Sequence, residues 1–312
     1  MADTFPRISV LVITYNQENT IGRALDSLLS QQEYLYEICI NDDCSKDHTW
    51  EVLKEYERKY PGLIKPVENE QNLGIFQNIE ATWKRPSGDL VYHLSGDDEC
   101  GDGFFKSVIE FVKEHHVDYK NELFCIYGDY ILRFPDGKSI YYKQRSATRK
   151  VEPIRLKLRG LVSNRAACYS INILRKFKNV SEGRSYSVES VQDCQLAMFT
   201  EKNYHIPVVG NIYNAAIGVS VNAKNDLQGR SDEMRMKLIR FMEAEGVELN
   251  KKEKSYFAYN ASLKSLSKQF SVKELMRTLI YYLKSLDFRL GLDTFDVRRL
   301  LLVAKRRRYY NN

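Results

Sequence analysis

Two pairs of adjacent carboxylates, Asp42-Asp43 and Asp97-Asp98, each follow a short apolar run, YEICI and DLVYHLS, and each precedes a segment that reads as helix. Neighbouring carboxylates repel when both are ionised, and a divalent cation relieves that repulsion. Gly96 and Gly101 flank the second pair and leave the backbone free to approach a ligand. Hard oxygen ligands without a Cys or His pair nearby favour Mg or Mn, which commonly bridge a protein carboxylate to substrate phosphates. Asp and Asn are also common in turns and at helix N-caps, an explanation that weighs more on Asp42-Asp43 than on Asp97-Asp98. Thr14-Tyr15-Asn16 closes a third apolar run, ISVLVIT, and Glu68 with Asn69 closes a fourth, LIKPVEN.

These residues need a scaffold that brings them together. The first hundred residues alternate β-rich runs with amphipathic stretches, the pattern of βαβ units and a mainly parallel sheet. Ile21, Ala24, Leu25, Leu28 and Leu29 recur at helical spacing after the first run. Asp47 is placed to cap a helix carrying Trp50, Leu53 and Tyr56, with Pro61-Gly62 as its stop. Pro66 puts the LIKPVEN strand at an edge. Further helices are expected over NLGIFQNIEATWKR and GFFKSVIEFVKEHH. LFCIYGDYILRF and SIYYKQR, joined at Pro135-Asp136-Gly137, read as a hairpin, so the sheet becomes mixed.

Between Val151 and Val221 the pattern suggests a strand at AACYSI, a helix at ILRKF and another across DCQLAMFTEK. After about Asn225 strand signals stop, and four helical stretches follow, MRMKLIRFMEA, YFAYNASLKSLSKQF, VKELMRTLIYYLKSL and FDVRRLLLVAK. The expected organisation is an α/β domain over 1–225 and a helical region with a basic tail over 226–312. In an open parallel sheet ligands bind beyond the carboxyl ends of the strands, where the polar groups named above fall.

The 312 residues, 43% hydrophobic and 28% charged, describe a folded globular chain rather than a disordered one. Six scattered cysteines without CxxC spacing read as free thiols, and the five histidines form no ligand pattern. No secretion signal opens the sequence, and no apolar run reaches the ~18 to 20 residues needed to span a bilayer, so the expected location is the cytoplasm. The net charge of +6 is concentrated in VRRLLLVAKRRRYYNN, which suits an anionic membrane surface or simply ends a solvated helix. Nucleic acid is not among the expected partners.

The ordered set ISVLVITYNQENTIGRALDSLLSQ, EICINDDCSKDHT, NEQNLGIFQNI and GDLVYHLSGDD resembles family 2 glycosyltransferases of the GT-A fold, over about Ile8 to Ser220. That resemblance implies a nucleotide-sugar donor, most often a UDP-sugar, a Mn or Mg ion, and inverting transfer to an acceptor hydroxyl. It implies that Asp43 contacts the nucleotide base, that Asp97 lies near the ribose and that Asp98 binds the metal. Thr14, Tyr15 and Asn16 of the TYN segment and Asn72 of the NxG segment would complete the donor site. Tyr15 would stack on the base, unless it simply packs.

The resemblance also implies a catalytic base on a later helix, usually the Asp of an ED pair. Here the pair is Gln192-Asp193, so Asp193 is the candidate, with Glu189 one turn away as a competitor. The family's Tyr-Arg pair is replaced by Tyr213-Asn214, and Lys224 or Arg165 could supply the cation for the departing diphosphate. The expected activity is sugar transfer to a saccharide or lipid-linked acceptor in surface polysaccharide or glycolipid assembly, peripheral to the inner face of the membrane. A sugar nucleotidyltransferase would need a glycine-rich basic loop where TYNQENT stands, and a non-catalytic scaffold on the same fold is the other alternative. The C-terminal helices could cover the acceptor site, form a homo-oligomer or lie on a membrane.

Overall fold

An almost unbroken apolar run buried on both faces marks β1 (Ile8–Thr14) as the centre of a helix-covered parallel sheet. The computed structural model describes residues 5–144, 164–178, 188–215, 239–255, 258–259, 262 and 271–285. In it β1 pairs in parallel with β2 (Leu35–Asp42) and β4 (Leu90–Ser95), and β3 (Ile64–Glu68) joins β2 as an edge strand. The edge tolerates Pro66, which cannot donate to a ladder.

α1 (Ile21–Leu29) buries the five residues its spacing predicts. α2 (Thr49–Lys59) buries Leu53 and packs Trp50 and Tyr56 against the core. The N-cap is His48, whose side chain makes no capping hydrogen bond, and not the expected Asp47; Asp47 Oδ1 instead accepts the first N–H of the helix, from Thr49, at 3.1 Å and the Thr49 hydroxyl at 2.6 Å. α3 (Ile75–Thr82) and α4 (Phe104–Glu114) complete the parallel half. Phe104 and Phe105 set their rings 5.5 and 5.2 Å from that of Tyr92, all three fully buried.

The second half is mixed, as the sequence pattern implies. β5 (Phe124–Arg133) and β6 (Ser139–Tyr142) form the hairpin, with Gly137 at φ 78 in its turn. β7 (Ala167–Ser170) lies between β4 and β5 and is antiparallel to both. Ser170 caps the short α5 (Ile171–Leu174), which replaces the helix expected at 173–177. α6 (Val188–Phe199) corrects the helix expected over 193–202: it ends at Phe199, and the Glu201 N–H then bonds to Leu123 O as the chain turns into a new strand.

That strand, β8 (Lys202–Asn214), pairs in parallel with β5 and is absent from the sequence reading. Its burial does not alternate, its register slips on either side of Asp129, and Pro207 and Gly210 interrupt it. It is a strand by long-range pairing rather than by local pattern. The strand order is β3-β2-β1-β4-β7-β5-β6 with β8 beside β5.

Described residues through Ala215 form one compact unit, and those from 239 onward belong to a second. The second unit contains helical residues 239–244 and 251–255 and α7 (Val272–Ser285); the helix expected over 295–305 lies outside the described residues. No helix among the described residues is long and apolar enough to cross a membrane. All six cysteines are free thiols, and all but Cys44 are buried.

Near the amino end of β2, Glu37 is buried and ties three strands together. It accepts Ser9 Oγ at 2.8 Å from β1, Lys65 Nζ at 2.7 Å from β3, and the Ser87 N–H at 2.6 Å ahead of β4. Burial alone would raise its pKa, but the Lys65, Ser87 and Ser9 donors outweigh it and hold the carboxyl at about 2. A depressed folded-state pKa stabilises the fold fully above the ordinary carboxyl range, and that contribution fades as pH falls from about 4.5 toward about 2. Glu37→Ala should lower the unfolding free energy at neutral pH by about 3 kcal/mol, measured by urea denaturation, and the gap from wild type should narrow over that acid range.

Candidate functional site at the carboxyl rim

β1, β2, β3 and β4 run in one direction and stop together. Thr14 pairs with Asp42, Asp42 with Glu68, and Ile13 with Ser95. The ladder then extends one step past the strand ends: Asp43 N–H to Thr14 O at 3.0 Å, Asn69 N–H to Asp42 O at 2.9 Å, and Gly96 N–H to Ile13 O at 3.0 Å. Thr14, Asp43 and the Asp97-Asp98-Glu99 segment therefore share one rim. Gly96 suits the closure, because a Cβ there would displace the Gln17 side-chain amide, 2.4 Å away at Oε1, and crowd Thr14 Cβ at 3.1 Å. The Thr14 hydroxyl is buried and meets no hydrogen-bond partner among the described residues, the kind of group a bound ligand can satisfy.

The loops after β1 and β2 clasp each other. Asn16, at φ 51, donates its N–H to Ser45 Oγ at 2.9 Å and accepts the Lys46 N–H on Oδ1 at 2.7 Å. Gln17 N–H reaches Thr49 Oγ1 at 2.7 Å, Glu18 N–H reaches Asp47 Oδ2 at 3.1 Å, and Glu18 Oε2 accepts the His48 N–H at 2.9 Å. The Ser, Asp and Thr of DDCSKDHT are thus consumed in holding the rim. Tyr15, between Thr14 and this clasp, is half-buried.

The two Asp of the first pair divide their work. Asp42 is fully buried and accepts from the N–H and the hydroxyl of Ser45; burial raises its pKa against those bonds. Asp43 accepts Leu73 N–H and Asn69 Nδ2 on Oδ1, both at 2.8 Å, and Gly74 N–H on Oδ2 at 2.9 Å. It therefore shapes the NxG loop as well as standing at the rim. Asn72 is exposed on that loop, its Oδ1 accepting the same Gly74 N–H at 3.1 Å.

The second acidic segment is tied to the end of β8. Glu99 and Ile212 exchange backbone hydrogen bonds at 3.1 and 2.8 Å, and Asp98 Oδ1 accepts the Asn214 N–H at 3.0 Å. Asn214 Nδ2 donates to Asp97 O at 2.8 Å and Glu99 Oε1 at 3.2 Å. Glu99 is further neutralised by Arg23 Nε at 2.9 Å and by Arg133. Asp98 is only 4% exposed, and its Oδ2 faces Arg165 Nη1 at 4.0 Å. The Arg165 guanidinium lies over the Tyr213 ring, 3.8 Å from its centroid. Among the described residues no three His, Cys, Asp or Glu side chains converge into a metal cage; the hard-oxygen donors of 97–98 suit an ion whose shell is completed by phosphates.

Asp193 lies half-buried on α6, and its charge, after burial and Cys125, helps push the buried Tyr127 phenol well above its ordinary pKa. Gln192 hydrogen-bonds Tyr169, whose hydroxyl meets His93 Nε2 at 2.7 Å. Glu189 shares the helix four residues earlier, and Lys224 lies outside the described residues. The sequence pattern does not announce Asn214, Arg23 and Arg133 as supports of the acidic segment, nor His93 behind Tyr169 and Gln192; Asn214 arrives on β8, Arg23 on α1, Arg133 on β5, and His93 meets Tyr169 through the β4–β7 pairing.

A family model described as Glycosyl transferase family 2 matches residues 9–168. The chain is 28% identical over 110 residues to the putative glycosyltransferase EpsE of Bacillus subtilis, covering 35% of this chain and 40% of that one. It is 31% identical over 115 residues to the poly(ribitol-phosphate) beta-N-acetylglucosaminyltransferase TarS of Staphylococcus aureus, covering 36% and 20%. The chain thus spans less than half the length of these relatives. The crystal structure of S. aureus TarS 1–349 in complex with UDP-GlcNAc aligns with TM-score 0.62 at 18% identity, over 88% of this chain and 79% of that one. The shared architecture is the GT-A fold.

Removing the Asp43 carboxylate leaves the Leu73 N–H without its acceptor and takes one of two acceptors from the Gly74 N–H and from the Asn69 amide. Asp43→Ala should therefore cost about 2 kcal/mol or more in unfolding free energy, read from urea midpoints in the absence of any ligand.

Proposed function

The chain belongs to glycosyl transferase family 2, and on that premise we propose that it moves a sugar, with inversion, from a UDP-sugar to an acceptor hydroxyl in the assembly of a surface polysaccharide or glycolipid. The observation that carries the reading is the strand register that sets Thr14, Asp43, Asp97 and Asp98 on one rim with Arg165 beside Asp98. The UDP-GlcNAc in the TarS complex and the polymer in the name of TarS support the donor and acceptor classes.

In this proposal Tyr15 and Asp43 hold the base side of the donor and Asp97 the ribose side, with Asn16 and Asn72 shaping the loops around them. Asp98 would hold a Mn or Mg ion, which when bound supplies Lewis-acid stabilisation of the leaving diphosphate. Arg165 adds a fixed positive charge next to Asp98, its plane held by Tyr213, where a planar fork suits phosphate oxygens.

The acceptor oxygen forms a bond to the anomeric carbon as the bond to the diphosphate breaks, the electron pair leaving with the diphosphate. Asp193 takes the acceptor proton, a step typically worth about a hundred- to ten-thousand-fold. A single displacement inverts the anomeric centre.

Calorimetric titration with UDP-GlcNAc and Mn, together with the anomeric configuration of the product, tests the reading. Asp98→Asn should weaken donor binding at least about tenfold and abolish the effect of Mn, and equal affinity in wild type and variant would remove the metal assignment. Asp193→Asn should bind donor as wild type does and lose turnover by about a hundredfold or more; full turnover would pass the role to Glu189. Arg165→Gln should lower kcat more than it raises KM, since its charge matters most as the diphosphate departs.

A further inference from the structure

α7 is inside out. It buries Glu274 and Thr278 and exposes Val272, Met276, Leu279, Ile280 and Leu283. The helix is nonetheless well specified. Ser271 caps it, Oγ accepting the Glu274 N–H at 3.1 Å and the carbonyl accepting the Leu275 N–H at 2.9 Å.

Its inward side is fixed by the burial of Glu274 and Thr278 and by one ring contact, with two further contacts made inside the helix itself. Arg277 Nη1 lies 3.6 Å from Glu274 Oε1, Thr278 Oγ1 donates to Glu274 O at 2.7 Å, and the Tyr282 ring packs 5.2 Å from that of the fully buried Tyr259. The polar side therefore faces protein, and the apolar side is left on the surface.

At 3.6 residues per turn the five apolar residues occupy a stripe about 100° wide. Lys273 and Lys284, both exposed, project along one flank of it. The helix has a single acid, Glu274, and that residue is buried and ion-paired. The outward surface of α7 is thus apolar and cationic with no negative charge. The sequence after it adds Arg298, Arg299, Lys305, Arg306, Arg307 and Arg308.

We propose that this face of α7 docks on an anionic lipid surface, the helix lying in the membrane plane with its stripe toward the acyl chains and Lys273 and Lys284 among the headgroups. An in-plane amphipathic helix binds by buried apolar area plus attraction to anionic lipid, and each cation near such a surface contributes about 1 kcal/mol. Charge argues against a second copy as the occupant. In a two-fold pairing the same patch meets itself, which would set the two exposed lysines of each copy against like charges with no acid on the face to offset them.

The test is co-sedimentation of the full chain with vesicles of roughly one-third phosphatidylglycerol in phosphatidylcholine, against pure phosphatidylcholine, at about 0.1 M and about 0.5 M salt. The wild type should pellet with the anionic vesicles alone, less so at the higher salt. Leu279→Glu combined with Leu283→Glu, both at exposed positions, should reduce the bound fraction at least about tenfold with the melting temperature unchanged. Lys273→Gln combined with Lys284→Gln should weaken binding at the lower salt. The proposal is overturned if neither vesicle binds, or if the Glu pair leaves binding intact, which would assign it to the basic C-terminal sequence. It is equally overturned if the chain forms a concentration-dependent dimer that the Glu pair dissolves while vesicles remain unbound.

Discussion

Because β1 pairs with β2 and β4 in parallel and in fixed register, the polar residues that end these strands lie side by side whatever their own preferences. Each of the other features at the rim either follows from that register or reinforces it. Gly96 lets the end of β4 close onto Thr14 and Gln17, and the clasp between the two loops fixes the directions in which the chain leaves β1 and β2. At the opposite end of the same strands the buried Glu37 carboxylate holds the sheet together through Ser9, Ser87 and the half-exposed Lys65. One sheet thus carries its ionic anchor at the amino end and its chemistry at the carboxyl end, so the two can vary independently.

The rim gathers five acidic side chains, Asp42, Asp43, Asp97, Asp98 and Glu99, and the fold keeps them from repelling one another by giving them different partners. Ser45 serves Asp42, the backbone of the NxG loop serves Asp43, and two arginines serve Glu99. Asp98 is met by a backbone N–H and, at longer range, by a guanidinium. Hydrogen bonds from backbone donors stabilise a carboxylate without requiring a mobile cation. Asp43 can therefore be both a structural acceptor and a rim residue.

The parallel half of the fold was legible in the sequence because its signals are local. The stripe of α1 and the edge position implied by Pro66 each rest on residues within one element, as in the mixed half the hairpin rests on its own short turn at Gly137. The acidic pairs were legible because they follow apolar runs directly. β8 was not, since its hydrophobic pattern has no period and its place is set by β5. With β8 unread, the ties from Asn214 and Ile212 to the acidic segment were invisible, as was the meeting of Arg165 with Tyr213. Arg165 had been one of two candidate cations, and only its approach to Asp98 distinguishes it among the described residues.

The two departures from the resemblance become intelligible in the same terms. Where a Tyr-Arg pair is expected, Tyr213 is followed by Asn214, whose amide bridges Asp97 and Glu99 while a guanidinium comes to the Tyr213 ring from Arg165 instead. Where a Glu is expected, Gln192 bonds to Tyr169 and through it to His93. Burial pushes the His93 imidazole down to about 3, so it is neutral near pH 7 and offers no charge to offset a carboxylate. The amide at 192 thus meets Tyr169 without adding a charge beside the neutral imidazole. The departure leaves Asp193, one position along the helix, as the carboxylate of the pair.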